Sequence, residues 1–238
     1  MTLKERLKFA LVRYTTVVKG GPLKGSRWVA VSGGKFVRGS YEPATTALFQ
    51  EHVRKGDVVF DIGAHVGYYA VLSAMLTGPT GRVFAFEPRP FNLKCLNVHR
   101  DSNRLTNLEI FNVCVGAACS SARFETSTGS GTGHLASGGD LDVTVVSLDT
   151  WIREGRLVAP AMMKIDVEGA ECDVLEGARG LIAQARPKLL VSLHSVQLNR
   201  RVREFLSAAN YEFRFFTGAE NTKDAELFAW PADVSSSE

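Results

Sequence analysis

Polar residues stand just past the apolar runs of this 238-residue chain, and their types suit chemistry. Asp61, Gly63, Ala64, His65 and Gly67 end the run DVVFDIG and begin the next. Glu87 ends RVFAFEP, Asn112 follows LEIF, Asp166 and Glu168 lie in KIDVEG, and His194 lies in SLHS. The DxGxxxG spacing of Asp61, Gly63 and Gly67 is not the GxGxxG that lets backbone approach a pyrophosphate. Gly63 allows a tight turn with exposed backbone, and Asp61 offers negative charge to an amino group. A cofactor with an ammonium and a sulfonium, and no phosphate, suits this better than a dinucleotide. Glu87 lies 26 residues past Asp61. A carboxylate there can accept hydrogen bonds from both hydroxyls of a ribose. A plain alternative is a surface glutamate capping the helix after Pro88.

Asp166, Glu168 and His194 suit activation of a hydroxyl, which is a poor nucleophile while protonated. His194 is taken as the general base, with Asp166 or Glu168 orienting it or holding the acceptor. The same three side chains would instead serve as ligands for Mg²⁺ or another divalent ion, although Mg²⁺ prefers oxygen donors. Lys164 shares a strand face with Asp166 and is expected to pair with a carboxylate. His65 either lines the pocket or packs on the first helix, and His134 lies in a Gly/Ser-rich stretch.

Strands alternating with helices must position these groups. DVVFDIG, RVFAFEP, LEIFNVCV, AMMKIDVEG and PKLLVSLHS read as buried strands. Helices are expected from about Gly67 to Leu76, over FNLKCLNVHRDS, over ECDVLEGARGLIAQ and from about Gln197 to Ala209. YEFRFF and AELFAWP read as a final strand pair. This order implies βαβ crossovers, a mostly parallel α/β sheet, and ligands beyond the carboxyl ends of its strands. Pro43 opens a helix running to about Val53. Residues 1–40 read as an accessory segment. In it a helix with apolar Leu3, Leu7, Ala10, Leu11 and Tyr14 is expected to pack on its own domain, a membrane or partner surface being the alternative. SRWVAVSGGKFVRG reads as a hairpin around Gly33-Gly34. Ser127 to Gly139 interrupts the rhythm and is read as a substrate-side flap.

Taken together, GDVVFDIGAHVGYYA, VFAFEP, KIDVEGAE and SLH, with YEP at Tyr41–Pro43 and TVVSLDTWI, resemble the FkbM-type methyltransferase family, a branch of the class I S-adenosylmethionine-dependent enzymes. The resemblance covers roughly residues 41–216. It implies a Rossmann-like, seven-stranded, mostly parallel sheet with one antiparallel strand and helices on both faces. It also implies methyl transfer, usually to a hydroxyl of a sugar or other small metabolite. On that basis Asp61, Gly63, Ala64, His65, Gly67, Glu87 and Asp166 line an S-adenosylmethionine site in residues 41–238, and Asn112 borders the adenine.

Bulk properties agree with one domain that has a full core. The chain is 45% hydrophobic, and its net charge of +3 is mild. Arg200, Arg201 and Arg203 are read as the only local basic cluster and as a solvated helix face, and no nucleic-acid partner is expected. Cys95, Cys114, Cys119 and Cys172 show no metal spacing and read as free thiols of a cytoplasmic protein. No apolar run reaches the ~20 residues of a membrane span. An oligomer is compatible with the sequence. Aminopropyl transfer, methylation of RNA or protein, and a cofactor-binding scaffold without activity are the competing readings.

Overall fold

The computed structural model describes residues 3–126, 133–135 and 137–232, without the side chains of residues 3–5. The chain divides into two compact units, 1–112 and 113–238.

The first unit begins with α1 (Leu3–Leu11), β1 (Thr15–Val17), β2 (Arg27–Val29), α2 (Gly34–Arg38) and α3 (Pro43–His52). It continues through β3 (Val58–Ile62), α4 (Tyr68–Thr77), β4 (Arg82–Phe86), α5 (Pro90–Ser102) and β5 (Leu108–Phe111). β3, β4 and β5 lie side by side in that order, all parallel. Val59, Phe60, Ile62, Val83, Phe84 and Phe86 are buried on both strand faces, as helix-covered parallel strands require. Gly67, which caps the start of α4, has a φ of +93°. A Cβ there would fall 2.0 Å from Leu96 Cδ1 in α5. Gly67→Ala is therefore expected to destabilise the protein by about 2–5 kcal/mol, summing left-handed strain and overpacking. A shift in the urea midpoint with an unchanged m-value measures this.

His99 of α5 ties the N-terminal segment to this unit. Its Nε2 accepts the Val29 N–H at 2.9 Å, so Nδ1 carries the proton and donates to the Val66 carbonyl at 2.8 Å. Its ring stacks on Trp28 at 3.7 Å between centroids. Wholly buried, His99 is pushed down to a pKa of about 3.

Two expectations for residues 1–40 need correction. No hairpin forms at Gly33-Gly34: β2 pairs with β1, and Gly34 starts α2, whose Phe36 is buried against Trp28. The expected apolar face of α1 is not the packed one. Phe9 and Val12 anchor the segment, Phe9 against Phe91, whereas Leu7 and Tyr14 are 59% and 54% exposed.

The second unit comprises β6 (Cys114–Val115), β7 (Ser120–Glu125), β8 (His134–Leu135), β9 (Leu141–Val146), α6 (Leu148–Arg153), β10 (Met162–Ile165) and α7 (Glu171–Glu176). α8 (Arg179–Ala185), β11 (Lys188–Leu193), α9 (Val196–Ala208), β12 (Tyr211–Thr217) and β13 (Ala225–Pro231) complete it. β10 and β11 are parallel, and β13 runs antiparallel between β11 and β12. Three strands in one unit and four in the other, with one antiparallel, match the expected class I pattern.

LEIFNVCV is not one strand, because the chain leaves β5 at Phe111 and β6 pairs with β9 instead. The break in the helix–strand rhythm is a four-stranded sheet in the order β6-β9-β7-β8, closed over Cys114, Phe124, Val143 and Val145. Residues 127–132 and 136 of the expected flap lie outside the described residues. His134 belongs to β8, in register with Glu125. The helix expected over residues 171–184 breaks at Gly177 into α7 and α8. Asp149 then accepts the N–H groups of Gly180 and Leu181 at 2.8 and 2.7 Å, and Ser147 caps α6. The SLDTWI run is thus explained by helix capping.

Candidate functional site

The first cluster lies where β3 and β4 end. Asp61 is paired with Ala85 in the parallel register, two residues before Glu87, so both carboxylates belong to the same strand-end face. Both are buried. The loop after β3 turns through positive φ at Gly63 (+81°), His65 (+53°) and Gly67 (+93°). Gly63 and Ala64 both donate their N–H to the Phe86 carbonyl at 3.0 Å. Glu87 joins the loop to α5: Oε2 accepts the His65 N–H at 2.8 Å, and Oε1 accepts from Arg89 N and Asn92 Nδ2 at 2.8 and 3.1 Å. Burial pushes Glu87 up to about 7, in spite of these donors. Glu87 is thus not the surface glutamate of the alternative reading: it is buried, and it accepts the N–H of Arg89, the residue before α5.

An aromatic layer that the sequence reading overlooked borders this loop. Tyr41 packs on Phe36 and Tyr68, and Phe36 lies 6.4 Å from the His65 ring. Tyr69 donates to Glu42 at 2.6 Å, fixing the YEP residues on α4. Asn112 is exposed just past β5.

The second cluster belongs to the second unit. Lys164, buried in β10, donates to Asp166 Oδ2 at 2.6 Å, the pairing expected for it. Burial works against the Asp166 charge, but Lys164, His194 and the Ser192 hydroxyl outweigh it and hold the carboxyl below its ordinary value. Glu168, at φ +53°, is raised by burial and then by the neighbouring carboxylates, His194 opposing. His194 Nε2 lies 3.6 Å from both Asp166 Oδ1 and Glu168 Oε2. That is too long for a hydrogen bond and leaves the nitrogen available.

Glu171 was missed. It opens α7, its side chain is fully buried, and its Oε1 meets His194 Nδ1 at 2.6 Å. The same oxygen accepts the Gly169 N–H at 3.0 Å, and no hydrogen bond to Oε2 is found among the described residues. Glu171 sits inside the KIDVEGAE run, but a glutamate in a first helical turn looks like an ordinary dipole partner until its burial is known. An anionic Glu171 makes Nδ1 the protonated nitrogen and Nε2 the basic one. Burial disfavours charge on His194, yet the Glu171 hydrogen bond and the three carboxylates hold its pKa above the ordinary 6.5. A base held by a buried carboxylate is the orienting logic of a catalytic dyad. Asp166, Glu168 and His194 also place one ligand atom each within 4.8 Å of one another, close enough for a divalent ion.

Comparison with known proteins identifies the family and the fold. The model of the family described as the methyltransferase FkbM domain matches residues 61–213. The hexuronic acid methyltransferase AglP of Haloferax volcanii is 27% identical over 164 residues, which is 68% of this chain and 66% of that protein. The chain therefore spans just under two thirds of this relative. The crystal structure of an FkbM methyltransferase from Methylobacillus flagellatus is similar over 79% of this chain and 51% of its own, with TM-score 0.52 and 21% identity. An O-methyltransferase from Bacillus cereus, solved in complex with SAH, matches over 78% of each chain with TM-score 0.51 and 14% identity.

Proposed function

Because this chain belongs to the FkbM methyltransferase domain family, we propose that it transfers the methyl group of S-adenosylmethionine to a hydroxyl of a sugar or similar small metabolite. The observation that carries the reading is the buried Glu171 carboxylate bonded to His194, with Nε2 left between Asp166 and Glu168. The division we adopt is an accessory segment, 1–40, and a methyltransferase domain, 41–238.

The residues of the first cluster fit this cofactor. The loop at Gly63–Gly67 lacks the phosphate-binding glycine pattern, and a buried carboxylate ends each of two neighbouring strands. Glu87 would hold the ribose hydroxyls and Asp61 the ammonium group. Bound there, S-adenosylmethionine supplies a methyl already activated on sulfur. The protein's task is orientation and proton removal. His194 Nε2 would take the proton of the acceptor hydroxyl, making its oxygen nucleophilic towards the methyl that the cofactor would supply, with S-adenosylhomocysteine as the other product. Glu171 is a positioning residue that stabilises the imidazolium formed. An acceptor carboxylate would enter a cluster already holding three carboxylates, so a hydroxyl is the better target, including on a uronic acid.

Incubation with S-adenosylmethionine and glycosides of uronic and neutral sugars tests this. Release of S-adenosylhomocysteine with an alkali-stable methyl ether is expected. An alkali-labile ester would move the acceptor atom to a carboxylate. Cofactor binding with turnover only on RNA or protein, or with none at all, would reject the sugar reading.

Glu87→Ala is expected to weaken cofactor binding by about 10- to 100-fold, the scale of a lost charge-assisted contact. Because ribose hydroxyls donate to the ionised carboxylate, affinity in the native protein should rise between pH 6 and pH 8 and level off above the Glu87 pKa of about 7. The rise should be absent in Glu87→Gln. Titration calorimetry across that range measures both.

A second reading, a divalent ion on Asp166, Glu168 and His194, is favoured by the closeness of their ligand atoms. Against it, the Lys164 ammonium already occupies one Asp166 oxygen. Loss of activity in a chelator, restored by Mg²⁺, would favour the ion. Four cysteines free of disulfides support a cytoplasmic location, and no helix among the described residues is long and apolar enough to cross a membrane.

A further inference from the structure

The whole-chain charge of +3 conceals a strong asymmetry. Residues 1–40 hold nine of the 28 Lys and Arg and one of the 25 Asp and Glu, a net charge of +8, while the other 198 residues carry −5. Eight of those bases, Arg6, Lys8, Arg13, Lys19, Lys24, Arg27, Lys35 and Arg38, are exposed. None of the eight forms a salt bridge among the described residues. The arginines of α9 differ, since Arg200 pairs with Glu204 and Arg203 with Glu220.

The segment is also where apolar side chains face outward. Leu7, Tyr14 and Val17 are 59%, 54% and 44% exposed, half of the large exposed hydrophobics among the described residues. Val17 lies across the β1–β2 pair from Arg27, and both line one open groove with Lys19 and Lys24. Arg13 reaches over the Tyr14 ring and donates to its hydroxyl at 3.0 Å. The segment is not a loose tail: Val29 is bonded to His99, Arg27 to Asn103, and Lys19 to the Val37 carbonyl.

From this placement we propose that residues 6–38 form a docking surface for an anionic lipid bilayer. Clustered bases are drawn to the negative headgroups, and Leu7, Tyr14 and Val17 enter the interface between them. A nucleic acid would match the charge but would gain little from exposed leucine and valine. The protein then works bound to a membrane surface.

The test is co-sedimentation of the full chain with phosphatidylcholine vesicles, alone or with about 30% phosphatidylglycerol, a fraction sufficient for a negative surface potential. Binding at least about tenfold stronger to the anionic vesicles, and lost near about 0.5 M salt, is expected. K19E/K24E/R27E should abolish it, and Leu7→Ser with Val17→Ser should weaken it several-fold. K55E/R153E/R214E, which removes as much charge elsewhere, should retain it. Methyl transfer to a soluble acceptor should survive in all three. Equal affinity for neutral and anionic vesicles, no binding of the unaltered chain at low salt, or equal loss in the control variant would overturn the proposal. So would tighter binding of a mixed-sequence RNA that displaces the vesicles. Should the first variant not fold, the salt and lipid dependence of the unaltered chain still decides.

Discussion

His194→Ala is expected to lower kcat by about 10²- to 10⁴-fold, the usual contribution of a positioned general base, with cofactor affinity changed less than about twofold. In the proposed mechanism the base nitrogen is Nε2, because Glu171 holds Nδ1 at 2.6 Å. A base must be neutral to act, and the His194 pKa lies above 6.5, so kcat/KM should climb through neutral pH to a plateau. Glu171→Gln keeps the size and removes the charge that raises that pKa. Its acid limb should move to lower pH while kcat falls by about 10- to 100-fold, since a weaker base transfers the proton less readily. A Glu171 that only supported the fold would change stability and leave the limb in place. Unchanged kcat in His194→Ala would remove the base from the mechanism.

Acid should loosen the first unit through His99. Its folded pKa of about 3 lies below the ordinary 6.5, so the unfolded chain binds the extra proton. The stability this group contributes is complete above 6.5 and is lost as pH falls towards 3. Between pH 7 and pH 5 the loss is about 2 kcal/mol, and over the whole window up to about 5 kcal/mol. Glu87 acts in the opposite sense, because its folded pKa of about 7 is raised. Urea unfolding is therefore best compared in Glu87→Gln, where the pH 7-to-5 decrease should stand out. Adding His99→Asn should flatten that slope and cost about 2–4 kcal/mol at pH 7, from the lost stacking on Trp28 and a buried polar group left unpaired. A slope that survives without His99 would place the acid sensitivity elsewhere.

The sheet was legible because strands covered on both faces must be apolar throughout. VVFDI, RVFAF, MMKI and KLLVSL could hardly be read otherwise, and polar residues at their ends stood out as site candidates. A carboxylate partner for Lys164 followed from strand alternation and from the need of a buried lysine for a partner, and Asp166 is that partner. Other features depended on tertiary context. Gly33-Gly34 carries a turn signal, but burying Phe36 against Trp28 makes the following residues a helix. The small sheet of β6 to β9 was hidden because the stretch between β7 and β9 is rich in Gly and Ser and because β6 and β8 are two residues each. Glu171 has the type and position of a surface helix-start residue, and only burial reveals its tie to His194. The basic density of residues 1–40 vanished in the whole-chain balance.

The burial of Glu87 reaches beyond catalysis. At neutral pH the unliganded first unit must either bury that charge or keep a proton on it, a disadvantage of up to about 3 kcal/mol against the unfolded chain. Ribose hydroxyls would relieve it, so cofactor supply would also govern how often this unit opens to proteases. Under the proposed role of Glu87, cells starved of methionine should clear the protein faster, and Glu87→Gln should uncouple its half-life from nutrition.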